Sequence, residues 1–242
     1  MALIEDYERT GRWLFSWRSY LPLLMTLLVV AALITPASDM VGQEYRTIWS
    51  IVCACVAFFG SIIRLTAVGY VPEGTSERTT GEPRASALNT SGIYSAVRHP
   101  LYLGNFFNWL GVSMLAGSWW LSLLFALLYW VYYERIMFAE EGFLRQKFGS
   151  SFEDWAARTP AFLPSFKNWQ PTNARFSLKK VLRSEYSGWF AIVATLTVIE
   201  TVRVFVTQRT VSIESGWAVF FLIGLTMYLA VLLIKKTTHL LR

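Results

Sequence analysis

Six apolar stretches, each close to the length needed to cross a bilayer, constrain this chain more than any other feature of its sequence. A spanning helix needs roughly 20 mostly apolar residues, and some of these stretches reach that length only with their aromatic flanks. Backbone polar groups in lipid must be hydrogen bonded within the protein, so such stretches are expected to be helical. They lie at about residues 20–34, 48–65, 101–116, 119–133, 189–205 and 217–234.

The composition agrees with an integral membrane protein. Of the 242 residues 54% are hydrophobic and only 16% are charged, against about 25% charged residues in soluble domains. A disordered chain, a collagen and a soluble enzyme are therefore excluded. We expect one all-α membrane domain of about six transmembrane helices, with helical pairs at 1–65 and 167–242 and a core at 66–166 between them. Because only Gly117 and Ser118 separate the third and fourth spans, these spans should form a tight hairpin.

The basic residues give this domain an orientation. Of the 22 Lys and Arg residues, 19 fall on one side of the predicted membrane, and only Arg46, Arg203 and Arg209 fall on the other. The positive-inside rule then places both termini in the cytoplasm. The net charge of +6 therefore indicates orientation in a lipid bilayer and no nucleic-acid partner. The sequence carries no signal for the oligomeric state.

Two pairs of reactive or charged residues have ordinary structural interpretations. Cys53 and Cys55 lie two apart on a predicted helix, so they point to different faces and cannot easily pair or share a metal ion. No metal site is expected elsewhere. Glu200 and Arg203 are three apart near the end of the fifth span and can pair on one helical face. We interpret them as a structural pair.

The first of two polar cytoplasmic segments is a loop rich in Gly, Pro, Ser and Thr that ends in Arg98-His99-Pro100. Pro100 suits the first turn of the third span, and it pushes His99 towards an extended conformation. Arg98 and His99 would then lie at a helix N-terminus, which suits a carboxylate or phosphate. The neighbouring Tyr94 and Tyr102 favour a functional site over an Arg that only anchors the loop and a His that only caps a helix.

The second segment continues the fourth span as a helix that should end at Gly149. Glu134 and Glu141 are seven apart and share a helical face, and Arg145 can pair with Glu141 at the i,i+4 spacing. The adjacent carboxylates Glu140 and Glu141 are usually typical of a solvated face. Here they lie on the same membrane side as the Arg-His pair and could hold a cationic or hydroxyl-rich cofactor.

These residues resemble a known family. The signature of isoprenylcysteine carboxyl methyltransferases and their bacterial relatives is similar to two groups of positions here: Gly92, Tyr94, Arg98, His99, Pro100, Tyr102 and Gly104, then Glu140, Glu141, Leu144, Phe148, Gly149, Trp155 and Pro164. The resemblance covers about residues 64–166, and two motifs in this order around a hairpin make it fairly specific. It implies a membrane methyltransferase that uses S-adenosyl-L-methionine (SAM) without a Rossmann domain.

The resemblance also implies roles for individual residues. The SAM contacts implied by the family pattern are Ser86, Ala87, Leu88, Asn89, Tyr94, His99, Pro100, Leu101, Tyr102 and Glu140. The candidate catalytic residues are Arg98, Arg135 and Glu141. This agrees with the reading of the residues themselves, because SAM has a carboxylate for a helix N-terminus, an ammonium and ribose hydroxyls for a glutamate, and a sulfonium for tyrosine rings.

One position departs from the pattern. Carboxyl methyltransferases place a substrate-binding Arg four residues before the cofactor glutamate, where this chain has Ile136. The nearest Arg is Arg135, about 100° around the helix, which makes an isoprenylcysteine substrate less favoured. The loop 74–81 and the segment 89–104 are more similar to bacterial lipid A phosphate methyltransferases, which implies a bacterial inner-membrane protein.

The expected reaction is O-methylation of an anionic phosphate or carboxylate on a membrane lipid or lipidated substrate. Such an acceptor is already ionised at neutral pH and needs positioning but no general base. An amine acceptor would need a base, for which His99 and Glu134 are the candidates. The alternatives are a phospholipid amine N-methyltransferase, an isoprenylcysteine carboxyl methyltransferase and a reductase-like relative with a nicotinamide cofactor. A transporter or scaffold is disfavoured because no internal repeat is visible.

Overall fold

The computed structural model describes residues 3–18, 20–34, 40–71 and 86–238, and every regular element in these ranges is helical. In chain order the helices are α1 (Leu3–Trp17), α2 (Leu21–Ile34), α3 (Arg46–Gly69), α4 (Ile93–Ala96), α5 (Pro100–Met114), α6 (Trp119–Phe148), α7 (Ser150–Ala156), α8 (Leu178–Gln208) and α9 (Ser215–Thr237). A short 3-10 turn, Gln43–Tyr45, leads into α3. The predicted all-α class is confirmed for the described residues.

Four of the described helices are long and apolar enough to cross a bilayer: α3 with its leading turn, α6, α8 and α9. Helices α2 and α5 contain 14 and 15 residues, which makes each about 21 to 23 Å long at 1.5 Å per residue. That is shorter than the hydrocarbon core of about 30 Å. Helix length thus supports four of the predicted spans, and the arrangement of six stays a prediction.

Helices α6 and α8 both extend beyond the apolar stretches that predict them. At 30 and 31 residues, each is about 45 Å long. Helix α6 ends as predicted at Gly149, which has φ +54° and donates its N–H to the Arg145 carbonyl at 2.9 Å. Helix α8 begins at Leu178, where the Ser177 hydroxyl accepts from the Lys180 N–H. The polar residues just before the predicted fifth span, 189–205, therefore belong to helix α8.

Helix α1 is an element that the sequence analysis did not predict. It is amphipathic, with Asp6–Arg9 and Glu8–Arg12 ion pairs on its exposed face. Its other face packs on α6 at Gly11, where an added Cβ would lie 2.1 Å from the Arg135 carbonyl oxygen. Only a glycine permits so close an approach, so α1 is seated directly on the α6 backbone.

Helices α5 and α6 are joined by residues 115–118, where Gly117 has φ +73°, and they pack through aromatic side chains. The Tyr129 hydroxyl donates to the Tyr102 carbonyl at 2.6 Å, and the Phe106 ring stacks on Phe125 with centroids 6.1 Å apart. Beside them α3 approaches α5 so closely that a Cβ at Gly104 would lie 2.7 Å from the Gly60 carbonyl oxygen. This packing fixes the start of α5 relative to the last turns of α6.

The opposite end of the bundle holds a second charged cluster. Arg203 donates to Glu200 as predicted, and Arg46 lies 3.5 Å from the other oxygen of the same carboxylate. Arg46 also donates to the Leu115 carbonyl at 2.8 Å. All three charged side chains are buried, so the pair predicted on α8 also ties that helix to α3. Cys53 is buried and Cys55 exposed, on separate faces as expected.

Candidate functional site

The Arg98-His99-Pro100 motif lies between α4 and α5, and its backbone is held by the segment after α7. The N–H groups of Arg98 and His99 donate to the carbonyls of Pro160 at 2.9 Å and Ala161 at 3.2 Å. His99 is the residue immediately before α5, with φ −119°, and Pro100 is the first helical residue. The extended His99 and the helix start at Pro100 are thus as predicted, and the backbone of Arg98 and His99 is held by the segment after α7.

Arg98 uses most of its hydrogen-bonding capacity inside the protein. Its Nε and Nη2 donate to the two oxygens of Glu141 at 2.9 and 3.2 Å. Its Nη1 donates to the carbonyls of Ala156 at 2.8 Å and Thr159 at 2.9 Å. Four of the five guanidinium N–H groups are therefore engaged. Arg98 holds Glu141 and the segment after α7 in place, and its fifth N–H has no partner among the described residues.

His99 bridges the two carboxylates of α6. Its Nε2 lies 2.9 Å from Glu141 Oε1 and its Nδ1 lies 3.5 Å from Glu140 Oε2, and the ring is 6% exposed. Burial alone would lower the pKa of His99, but the hydrogen bonds and charges of Glu140 and Glu141 outweigh burial and raise it to about 9. His99 is therefore a cation at neutral pH.

Glu140 faces His99 and Tyr102 in this cluster. Its Oε2 atom is buried and lies 3.5 Å from His99 Nδ1, and the Tyr102 hydroxyl also interacts with the carboxylate. The carboxylate is therefore surrounded by donors of the protein, and a donor from a ligand could complete the hydrogen bonding of Oε2. Tyr102 stacks on His99 with ring centroids 5.5 Å apart. Arg18 lies 3.5 Å from the Tyr102 hydroxyl.

The remaining predicted cofactor residues differ in their exposure. Ser86 and Ala87 are exposed, and Leu88, Asn89, Tyr94 and Leu101 are half-buried. The Tyr94 carbonyl accepts a hydrogen bond from the Trp155 indole at 3.0 Å, which ties α4 to α7. The structure therefore brings His99, Pro100, Tyr102 and Glu140 together, whereas the roles given to Ser86–Asn89 remain predictions. The loop 74–81, which carries part of the lipid A resemblance, lies outside the described residues.

The other predicted charged residues lie apart from His99. Arg135 contacts α1, with Nη1 3.3 Å from the Thr10 hydroxyl and its guanidinium 5.0 Å from the centre of the Tyr7 ring. Arg145 pairs with Glu153 on α7 at 3.6 Å. The expected Glu141–Arg145 pair is replaced by the Arg98–Glu141 pair, because Glu141 faces the buried side of α6.

A cleft of about 400 Å³ opens between α1 and α6, next to this cluster. Apolar and aromatic side chains form most of its wall, and three charged residues form the rest. The lining residues are Leu3, Ile4, Tyr7, Arg98, Trp130, Glu134, Met137, Phe138, Glu141 and Ala161. Glu134 and Glu141 thus share one face of α6, as their spacing predicts.

A buried ion pair next to the site was not predicted from the sequence. Arg64 of α3 binds both oxygens of Glu185 on α8 at 2.7 Å each, and its Nη1 donates to Asn105 of α5 at 2.8 Å. Glu185 is 2% exposed. Arg64 is also close enough to Tyr129 and Tyr133 to interact with them electrostatically. The only sequence signal is a charged residue near the end of each helix, on the side of the predicted site.

Residues 48–151 match the model of the phospholipid methyltransferase family. The protein-S-isoprenylcysteine O-methyltransferase of Schizosaccharomyces pombe is 32% identical over 125 residues, which cover 45% of this chain and 52% of that protein. A probable protein-S-isoprenylcysteine O-methyltransferase of Oryza sativa subsp. indica is 35% identical over 78 residues, 32% of this chain and 40% of that protein. The nickel-cobalt-cadmium resistance protein NccN of Alcaligenes xylosoxydans xylosoxydans is 37% identical over 81 residues, 34% and 38% of the two chains. No solved structure matches the chain.

These matches agree with the resemblance predicted from the two motifs: residues 48–151 are similar to the phospholipid methyltransferase family and to protein-S-isoprenylcysteine O-methyltransferases. The matched segment runs from α3 to the start of α7 and contains His99, Glu140 and Glu141. The chain spans about half the length, or less, of the curated relatives it matches. Helices α1, α2, α8 and α9 lie outside the family match.

Proposed function

We propose that this protein is a SAM-dependent methyltransferase that methylates an anionic oxygen, phosphate or carboxylate, on a membrane lipid or lipidated substrate. The similarity of residues 48–151 to the phospholipid methyltransferase family supports the reaction class. The observation that carries the proposal is the His99–Glu140–Glu141 cluster at the start of α5, in which the buried Oε2 atom of Glu140 lies 3.5 Å from His99 Nδ1.

The residues present fit SAM. Glu140 would accept hydrogen bonds from its ammonium or ribose hydroxyl groups, and the Tyr102 ring beside His99 offers an aromatic edge and face. When bound, SAM supplies a methyl group on a sulfonium. His99 and Arg98 would hold the two carboxylates in a fixed orientation, so the binding geometry is set before any ligand arrives.

The state of His99 favours an acceptor that is already ionised. An amine or phenol acceptor needs a base to take its proton. His99 is protonated at neutral pH because its pKa is raised to about 9 by the two carboxylates, so it cannot serve as that base. A phosphate or carboxylate needs only alignment. The lipid A phosphate subgroup is the finer expectation, carried by the resemblance of the segment 89–104.

One observation favours a second candidate, an N-methyltransferase for a phospholipid amine. Glu134 is exposed and lines the cleft on the same face of α6 as Glu141, where it could accept a proton. In either case the acceptor would come from the bilayer. The isoprenylcysteine carboxyl group is the acceptor implied by the names of two relatives.

The proposed placement in the membrane follows from the charges and helix ends. We infer that α2 and α5 cross the bilayer together with the four longer helices, and that the two termini lie in the cytoplasm. The distribution of Lys and Arg, 19 of 22 on one side, supports this orientation. The His99 cluster would then lie at the cytoplasmic interface of a bacterial inner membrane, within reach of soluble SAM.

The cofactor assignment is tested by calorimetry on the purified protein in lipid nanodiscs with S-adenosylhomocysteine. We expect binding in the wild type and a loss of about tenfold or more for Glu140→Gln, since a hydrogen bond to a charged group contributes about 1.5–3 kcal/mol. The matched control is Glu44→Gln, an exposed glutamate at the opposite end of the bundle. Equal affinity of the two variants, both folded, would contradict the assignment.

The acceptor is tested with the same protein, SAM and a total lipid extract from a bacterial inner membrane. Lipid mass spectrometry should find one species heavier by a methylene group, and fragmentation should place that group on a phosphate or carboxylate oxygen. Methylation of an amine, abolished by Glu134→Gln, would instead support the N-methyltransferase candidate. No methylated lipid with a fully active cofactor site would exclude lipids of that membrane as acceptors.

A further inference from the structure

Four basic side chains gather where the first turns of α8 meet the last turn of α9. Lys179 and Arg183 lie near the start of α8, and Lys235 and Lys236 lie in the last turn of α9. This is the end of the bundle at which Arg64 joins α8 to the start of α5. Lys179, Arg183 and Lys236 are exposed, and Lys235 is half-buried. We call these four residues the cationic patch, and it belongs to helices outside the family match.

Packing between α8 and α9 brings the two pairs of cations to one place. The Tyr228 ring of α9 stacks on the Tyr186 ring of α8 with centroids 5.4 Å apart. Lys179 and Arg183 precede Tyr186 at helical spacings of four and three residues, so the three side chains share the face of α8 that meets α9. Lys235 Nζ lies 5.3 Å from the centre of the Tyr186 ring. The cations of α9 therefore lie beside those of α8.

No carboxylate among the described residues pairs with the cationic patch. After residue 154 the chain has three acidic residues, Glu185, Glu200 and Glu214. Glu185 faces the other way and binds Arg64 with both of its oxygens. Glu200 and Glu214 lie at the opposite end of the bundle. Four cations without a counter-charge repel one another, and the partial positive charge at the start of α8 adds to this repulsion. This place therefore favours a bound anion.

The surface next to the cationic patch is apolar and exposed. No residue of α9 is buried. Leu229 and Leu233 lie seven and three residues before Lys236, so they share its face of the helix, and they are 50% and 61% exposed. Leu178, at the start of α8, is 58% exposed. An amphiphile whose head group meets the cations would therefore find exposed leucines for its chains, which a small free anion would not use.

We propose that the cationic patch binds the phosphodiester of an anionic membrane phospholipid, whose acyl chains lie along the exposed leucines of α9. Basic side chains between the ends of spanning helices are typical binding sites for such head groups. The proposal uses the inferred placement of this end of the bundle at the cytoplasmic interface. None of the four residues makes a hydrogen bond or an ion pair with the His99 cluster in the described part of the chain. The bound phospholipid bridges the ends of α8 and α9 and is separate from the methyl acceptor.

The proposal is tested by native mass spectrometry of the protein released from vesicles that contain equal amounts of dioleoyl phosphatidylglycerol and dioleoyl phosphatidylcholine. The two lipids share their chains and their phosphodiester, and only phosphatidylglycerol has a net negative charge. We expect the wild type to retain phosphatidylglycerol at least about fivefold over phosphatidylcholine, because the cations favour the net charge of its head group. Equal retention of the two lipids would overturn the proposal.

Two double variants with the same change in net charge locate the retained lipid. Lys179→Gln with Arg183→Gln removes both cations that α8 gives to the patch. The matched control is Lys147→Gln with Arg158→Gln, which removes an exposed lysine and an exposed arginine elsewhere. We expect the first variant to retain phosphatidylglycerol at least about threefold less than the wild type, and the control to retain as much as the wild type. Equal losses in the two variants, both folded by circular dichroism, would mean a general attraction and contradict the proposal. Lys179→Arg with Arg183→Lys keeps both charges and should keep the lipid, so its loss there would contradict recognition by charge.

Free phosphate distinguishes a lipid site from a simple anion site. Inorganic phosphate in large excess should leave the retained phosphatidylglycerol in place, because it has no chains to contact the leucines. Complete displacement by inorganic phosphate would show a site for a free anion and overturn the proposal. A retained phospholipid that gains a methylene group on incubation with SAM would be the methyl acceptor, and its separate role would be wrong. Lipid retention does not depend on S-adenosylhomocysteine binding, so a failure of the proposed function leaves this proposal intact.

Discussion

His99 Nε2 lies 2.9 Å from Glu141 Oε1, on a carboxylate whose two oxygens are also bound by the neighbouring Arg98. Arg98 and His99, two adjacent residues just before α5, thus both bind the Glu141 carboxylate of α6. Glu140, the carboxylate that precedes Glu141 on the helix, lies with its Oε2 atom 3.5 Å from His99 Nδ1. The two adjacent glutamates thus have different surroundings: Glu141 binds Arg98 and His99, and Glu140 faces His99 and Tyr102.

The first prediction concerns the charge of His99. Its pKa is raised from an ordinary 6.5 to about 9 by Glu140 and Glu141, so the protonated form stabilises the fold. That stabilisation is complete below pH 6.5 and is lost as the pH rises through 9. The unfolding temperature of the wild type should therefore fall between pH 6.5 and 9 relative to His99→Gln, and the two proteins should converge above that range.

The titration can also be observed directly, because the chain has only two histidines. In a His239→Gln background, histidine-selective NMR should show a single signal with a midpoint near 9. Adding Glu141→Gln should lower this midpoint, since it removes one of the negative partners. A midpoint at or below 6.5 in the parent would mean that the carboxylates do not hold His99 as a cation.

The second prediction concerns the shape of Arg98. Arg98→Lys keeps the charge but removes the fork that binds Glu141 and two carbonyls at once. We expect a loss of about 1–3 kcal/mol in unfolding free energy, because buried acceptors lose donors. Arg145→Lys is the matched control, since the Arg145 side chain is 59% exposed and should change stability by less than about 1 kcal/mol. Similar losses for both variants would contradict a specific role for the fork.

The third prediction concerns the Arg64–Glu185 pair. Glu185→Gln leaves the Arg64 charge, 11% exposed, without its partner. Breaking a buried pair from one side costs about 3–5 kcal/mol, which unfolding in mixed detergent micelles would detect. Glu153→Gln, in a pair whose glutamate is 62% exposed, should cost less than about 1 kcal/mol.

A double variant separates charge from packing at the same place. Arg64→Met with Glu185→Leu removes both charges and keeps comparable volume, so it should recover most of the lost stability. If the double variant is no more stable than Glu185→Gln, the pair acts through its hydrogen bond to Asn105 and not through charge burial.

Local patterns in the sequence predicted the parts of the site that depend on one helix. Backbone geometry over a few residues explains three of these features. Helix α5 begins at Pro100, helix α6 ends at Gly149, and Glu134 and Glu141 share one face of α6. The resemblance of the two motifs to one family signature then predicted that His99 and Glu140, which lie far apart in the sequence, belong to the same site. Such predictions succeed because each needs only helical periodicity or a signature that spans both partners.

The parts that failed depend on how helices pack. Glu141 has Arg145 at the favourable i,i+4 spacing, yet it binds Arg98, which is 43 residues away, because it faces the buried side of α6. Arg64 and Glu185 are 121 residues apart, and neither position shows its partner. Helix α1 was missed because its apolar face is too short and its charges too many for a membrane-span criterion.

The last prediction concerns the seat of α1 on α6. Gly11→Ala places a Cβ that would start 2.1 Å from the Arg135 carbonyl oxygen and 2.8 Å from the Ala139 Cβ, so α1 must move away from α6. Overpacking of this kind costs about 1–3 kcal/mol, which outweighs the gain of up to about 1 kcal/mol that alanine brings to a helix interior. The matched control is Gly216→Ala at the start of α9, where an added Cβ meets nothing within 4 Å, so stability should be equal or higher. Thermal unfolding in detergent checks the sign for both variants. A Gly11→Ala protein as stable as the Gly216→Ala protein would mean that α1 is not seated on the α6 backbone at this glycine.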